Sequence, residues 1–135
     1  MAFRYLLDTD ICIYLRRRQS AATVARFEKL EPGDAAISVI THGELAYGAF
    51  KNPNPQPRLA WLSRLTAFVP VLPLPEGAGE IYGELRGTLE TDGQTIGNND
   101  LWIAAHARAS GLVLVTNNER EFKRVAGLKI ENWAK

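Results

Sequence analysis

The stretch YLLDTDICIYL, Tyr5–Leu15, sets two aspartates and a threonine inside an otherwise apolar run. The residues leading into it, FRYLL, are short and apolar enough to predict a strand buried on both faces. Asp8 and Asp10 then fall at the carboxyl end of that strand. There Asp8 can cap the helix that follows, since an aspartate oxygen accepts free backbone N–H groups, or it can face a ligand.

Similar apolar runs recur at DAAIS, at FVPVL and at LVLVT, Leu112–Thr116. Between them lie segments with helical spacing: Ser20 to Leu30, Val39 to Phe50, Leu59 to Phe68, Glu80 to Leu89 and Leu101 to Ala109. This alternation predicts an α/β domain with a mainly parallel central sheet flanked by helices on both faces. Such sheets bind ligands beyond the carboxyl ends of their strands, near the point where strand order reverses. The loop NPNPQP, Asn52–Pro57, has no helix or strand option of its own and predicts the tip of a protruding helical hairpin.

A chain of 135 residues suits one core, so residues 1–135 read as a single domain. No apolar run approaches the roughly 18 residues of a membrane span. The start MAFRYLLDTD lacks the pattern of a signal peptide, so the expected location is cytoplasmic. The single cysteine, Cys12, excludes an internal disulfide and sits among Ile11, Ile13 and Tyr14 as a buried thiol would. A formal charge of +1 argues against nucleic-acid binding through global basicity. Arg16, Arg17 and Arg18 form a local patch, as do Arg120, Lys123 and Arg124, and the plain reading of both is a solvated helix face.

Further acids follow the same placement. Glu44 lies on the helix after DAAIS, sharing a side with Ile40 and Tyr47; Val39, Ile40, Ala46 and Tyr47 make this read as a packed helix. Asp100 opens a helix whose residues Ile103, Ala104 and Ala107 stand three, four and seven places on, so it faces inward, with Asn98 or Asn99 free to cap. Beyond LVLVT come Thr116, Asn117, Asn118, Glu119, Arg120 and Glu121, where Phe122 anchors the turn beside Glu121. Carboxylates gathered at one edge repel each other, and Mg²⁺ or Mn²⁺, which prefers hard oxygen ligands, relieves that repulsion. A metal held in this way suits phosphodiester hydrolysis.

With these residues placed, the sequence resembles the PIN-domain nucleases and, within them, the VapC toxins of bacterial toxin–antitoxin pairs. The resemblance runs through LLDTDICIY, ELAYGA, IGNNDLWIAAHA, TNNEREF and GLKIENW, nearly the whole chain. It implies a PIN-like fold and a metal-dependent endoribonuclease that cuts structured RNA such as tRNA. It further implies catalytic roles for Asp8, Glu44, Asp100 and Glu121, with the metal on Asp8, Asp100 and Glu44. Asn118 stands where some relatives carry another aspartate, which leaves three or four carboxylates for the metal and leaves Glu119 a rival to Glu121. Asp10 stands where many have asparagine and adds a peripheral acid. A homodimer and a cognate VapB-like antitoxin, whose C-terminal segment crosses the active-site groove, are implied as partners.

Thr9, Thr116, Asn117, Asn118 and Ser38 are expected to hydrogen-bond the carboxylates from behind. His42 and His106 titrate near neutrality, but helical spacing turns both away from Glu44 and Asp100, toward a helix surface or an interface. Trp102, beside Asp100, can stack on a base. Two rivals remain. A haloacid-dehalogenase phosphatase shares the strand followed by Asp-x-Asp, yet needs a catalytic lysine and a later acidic pair that are not evident. A catalytically silent PIN-like module that binds RNA or protein is the other.

Overall fold

In a computed structural model that describes residues 3–135, β1 (Tyr5–Leu7) is the middle strand of a five-stranded sheet. The first two residues of the N-terminal stretch MAFRYLLDTD lie outside the described residues. The sheet order is β3-β2-β1-β4-β5 and every pairing is parallel, with β2 at Ala35–Ser38, β3 at Val71–Leu72, β4 at Val113–Val115 and β5 at Ile130–Glu131. Side chains alternate across a strand, and both faces are covered. Tyr5 and Leu7 join one core with Ile11, Leu45, Leu62 and Leu65, whereas Leu6 and Leu114 join another with Leu85, Ile103, Ala104 and Phe122.

The helices are α1 (Thr9–Arg17), α2 (Ala21–Glu28), α3 (Val39–Phe50), α4 (Gln56–Phe68), α5 (Ala78–Thr91), α6 (Asn98–Ser110) and the short α7 (Glu119–Phe122). The chain fills the β2–β3 side of β1 first and the β4–β5 side afterwards. The reversal therefore falls between β1 and β4, where Leu7 pairs with Val115. Just beyond that pair stand Asp8 and Thr116.

Several expected boundaries shift for physical reasons. Within FVPVL only Val71–Leu72 is strand: Pro70 has no N–H for the ladder, and its carbonyl accepts from Ile37 N at 3.0 Å. NPNPQP does form the tip between α3 and α4, but α4 starts at Gln56, with Pro57 in its first turn where no N–H is needed. β5, within GLKIENW, was not legible as a strand; two half-buried residues carry almost no pattern. On α3, Val39, Tyr47 and Phe50 are exposed, Tyr47 by 67%, so the packed face is narrower than its apolar content implied.

Candidate functional site

Asp8 caps α1 and belongs to the acidic edge, so the two roles posed by the sequence are one geometry. Its N–H donates to Val115 O at 2.9 Å, which locks the end of β1 to β4. Oδ1 accepts from Thr9 N at 2.8 Å and Oδ2 from Thr116 Oγ1 at 2.7 Å. The residue is only 4% exposed. Burial first, and then the neighbouring Asp10 carboxylate, hold its pKa well above the usual carboxylate range.

Asp10 is not peripheral. Its carboxyl lies within hydrogen-bonding reach of Asp8, and burial raises its pKa against the opposing pull of its hydrogen bonds. Oδ2 accepts from Asn117 N at 3.2 Å, while Oδ1 is buried with no partner. A buried acceptor left unpaired costs on the order of 1–3 kcal/mol, so this oxygen calls for a donor, which a proton kept on Asp8 can be, or for a cation.

Glu44 reaches the edge from α3. Its Oε1 accepts from Thr9 Oγ1 at 2.6 Å and its Oε2 from Asn99 Nδ2 at 3.4 Å. Thr41 Oγ1 stands 3.2 Å from Thr9 Oγ1; because Thr9 commits its one proton to Glu44, Thr41 is the donor there. Asp100 arrives from the first turn of α6. Its pKa is pushed up to about 6, by burial first and then by the Glu121 and Glu44 carboxylates. Glu121, on α7, is within hydrogen-bonding reach of Asp100, whereas Glu119 turns away to Lys135 Nζ at 2.7 Å and Asn132 Nδ2 at 3.1 Å. Geometry therefore favours Glu121 over Glu119.

Thr116 donates to Asp8 and Thr9 to Glu44. Asn118 contributes its backbone N–H, which donates to Thr116 Oγ1 at 2.9 Å, and Asn117 contributes the N–H to Asp10. Ser38 does not touch a carboxylate: its Oγ caps α3 through Ile40 N and lies 2.9 Å from His106 Nδ1. His106 is buried rather than on a helix surface, with its pKa lowered by burial. Gly97, not Asn98 or Asn99, is the N-cap residue of α6 and offers no side-chain cap; both asparagines lie in the first turn, where Asn99 Nδ2 donates to Glu44. One face of Trp102 is taken by Tyr82, whose ring stacks 3.9 Å away. Cys12 is fully buried and its thiol pKa is raised by burial, so it is inert.

Sequence reasoning missed Tyr14, Thr41 and Asn132. Tyr14 OH accepts from Asn117 Nδ2 at 2.7 Å and Asn132 Nδ2 donates to Asn117 Oδ1 at 3.3 Å, which ties α1 and the C-terminal strand to the edge. Only Thr41, one turn before Glu44, carried a spacing signal.

The chain as a whole is similar to known proteins. The PIN domain family model matches residues 5–128. This chain belongs to the PIN-domain family. Among its relatives, Ribonuclease VapC2 of Haemophilus influenzae is 42% identical to this PIN domain over 96% of this chain and 98% of its own length. The tRNA(fMet)-specific endonuclease VapC of Shigella flexneri is 40% identical over 97% and 98% of the two chains. Solved structures agree: VapBC-1 from nontypeable Haemophilus influenzae superposes with a TM-score of 0.90 at 40% identity, covering 98% of this chain and all of that one. DNA-bound VapBC from Salmonella typhimurium gives 0.90 at 37%, covering 97% and 98%.

The side chains of this PIN domain fit a hard divalent cation in kind. All donors at the edge are oxygens, one is buried without a partner, and three carboxyl groups have raised pKa values. Asp8 lies beside Asp10, and Asp100 beside Glu121 with Glu44 and Asp10 also near it. Among the described residues no three acidic, histidine or cysteine side chains already enclose an ion.

Proposed function

We propose that this PIN domain is a metal-dependent endoribonuclease, the toxin of a toxin–antitoxin pair. The observation that carries the reading is the unpaired, buried Asp10 Oδ1 among carboxyls whose charge the fold disfavours, at the switch point of a parallel sheet. Asp8, Asp100 and Glu44 would hold Mg²⁺ or Mn²⁺, with the free Oδ1 of Asp10 turned to the same cation and Glu121 beside Asp100. When bound, such a cation supplies Lewis acidity toward a phosphate oxygen and a nucleophilic water at neutral pH.

The chain's own groups do the positioning. Thr116 fixes the Asp8 rotamer and Thr9 that of Glu44, so a carboxylate at the end of β1 and one on α3 keep their spacing as charge builds on the phosphate. No imidazole serves as a base: His106 is engaged with Ser38, and His42 lies on α3 two residues before Glu44, on another side of the helix. RNA is the favoured substrate because the relatives are named ribonucleases, and structured RNA such as tRNA because one is named a tRNA(fMet)-specific endonuclease. An antitoxin partner follows by analogy with the VapBC structures, and an Arg or Lys from it would pair with Asp8, Glu44 or Asp100.

The test is cleavage of RNA in chelator, then with Mg²⁺ or Mn²⁺ restored. Cleavage should stop and return. Activity that persists in excess chelator removes the cation from the mechanism, and failure of the co-expressed neighbouring gene product to relieve toxicity removes the antitoxin.

A further inference from the structure

A cleft of about 720 Å³ opens directly on Glu44 and Thr9 and runs away from the acidic edge between α1 and α3. On α1, Thr9, Ile13, Arg16 and Arg17 share one face at helical spacing, which places Arg16 about 10 Å from Thr9 along the axis. Lys51 and Arg58 close the far end. None of these four cations makes an ion pair among the described residues. Arg58 donates only to the Gly48 carbonyl, at 3.3 Å. Arg16 is crowded by its own kind, its pKa lowered by burial first and then by Arg58 and Arg17. In a chain of net charge +1, four cations without ion pairs along one cleft are a local concentration of positive charge, which attracts a polyanion.

The cleft also has an apolar wall. Tyr47 is 67% exposed with Lys51 Nζ 5.2 Å from its ring centre, and Gly43 keeps the wall low, since nothing lies within 4 Å of where its Cβ would be. Cations alternating with an exposed aromatic match a nucleic-acid strand, whose phosphates need charge and whose bases stack. We infer that this cleft holds the RNA backbone on one side of the scissile bond, with Arg16, Arg17, Lys51 and Arg58 on phosphates and Tyr47 against a base. The inference rests on the nuclease reading only for the identity of the polyanion as RNA.

The test separates the two. Binding of a short fluorescein-labelled oligoribonucleotide is followed by anisotropy in chelator, across a salt series, for the parent chain and the double variant Arg16→Ala, Arg58→Ala. Each phosphate contact contributes about 0.7 to the slope of log K against log[salt] for a single strand, so the double variant should lose about 1.4 from that slope. The same counterion release amounts to about fivefold per contact at roughly 0.1 M salt, hence about 25-fold weaker binding. With metal, KM should rise by a similar factor while the single-turnover rate at saturating RNA stays within about twofold. Gly43→Leu, which fills the cleft and favours the helix, should weaken binding without loss of thermal stability. Unchanged affinity and slope in both variants overturn the assignment. So does retained RNA binding with lost binding of an antitoxin peptide, which gives the cleft to the protein partner. If the slope falls as expected yet no cation restores cleavage, the cleft stands and the nuclease reading fails.

Discussion

Replacing Asp100 by Asn, a near-isosteric neutral side chain, should stabilise the metal-free protein at neutral pH and disable it as a nuclease. The Asp100 carboxyl is raised from the ordinary 3.8 to about 6. A raised acid favours the protonated fold, so its stabilising contribution is complete below about pH 4 and is lost as pH climbs through about 6. At pH 7.5 the full shift corresponds to about 3 kcal/mol, at 1.36 kcal/mol per unit. Asp100 is only half-buried, so solvent screening reduces this to roughly 1.5 kcal/mol. Against it, Asp100 sits in the first turn of α6, where a negative charge gains roughly 0.5 kcal/mol from the helix dipole that Asn forfeits. The balance is about 1 kcal/mol in favour of Asn, or roughly 3–5 °C in Tm for a chain of this size. Thermal melts in chelator at pH 7.5 and pH 4 measure it: the increment should be present at the first and vanish at the second. An Asn variant less stable than the parent at pH 7.5, or an increment independent of pH, would falsify the repulsion argument. Excess Mg²⁺ should reverse the order, since only the parent then gains from binding.

The remaining predictions concern the groups that hold the edge. Thr116→Val keeps shape but removes the donor to Asp8 and the acceptor for Asn118 N, so it should cost about 1–3 kcal/mol in denaturant melts and slow cleavage at saturating substrate. Asp8→Ala should abolish cleavage. Because it also removes the α1 cap and the acceptor for Thr116, relief of repulsion is offset and its stability should stay within about 1 kcal/mol of the parent, whereas unfolding would mean the cap dominates. Products should carry a 5′-phosphate and a free 3′-hydroxyl, read by ligation and mass spectrometry; a 2′,3′-cyclic phosphate would return His42 or His106 to the chemistry. Asp10→Asn should weaken metal affinity in calorimetry, and equal affinity would make the unpaired oxygen incidental.

The main elements of this fold were legible because a buried parallel strand writes itself as an apolar run with polar residues directly behind it. DAAIS and LVLVT follow that rule and end at Ser38 and Thr116, each hydrogen-bonded at the carboxyl edge. β3 and β5 follow it poorly, because edge strands of two half-buried residues need neither length nor pattern. Exposure on α3 was illegible for a different reason: Val39, Tyr47 and Phe50 are apolar residues that this chain alone does not cover, and periodicity cannot tell core from a face awaiting a partner.

At the site, spacing could place a carboxylate on a helix face but not the direction of its oxygens. Asp10 is the clearest case. Two residues beyond Asp8, it reads as an acid in the first turn of α1, good for a helix and otherwise optional. In the fold, the β4–α7 turn brings Asn117 N to Oδ2 and leaves Oδ1 buried and alone, 107 residues apart in sequence from the group that fixes it. Only a long-range contact makes that oxygen costly, and only a cost that the fold tolerates points to something that removes it. A surface acid can be lost without consequence. An acid with one oxygen held unpaired beneath the switch point is what the proposed cation would relieve, and loss of metal affinity in Asp10→Asn is the result that would join these carboxylates, each with its own excuse, into one site.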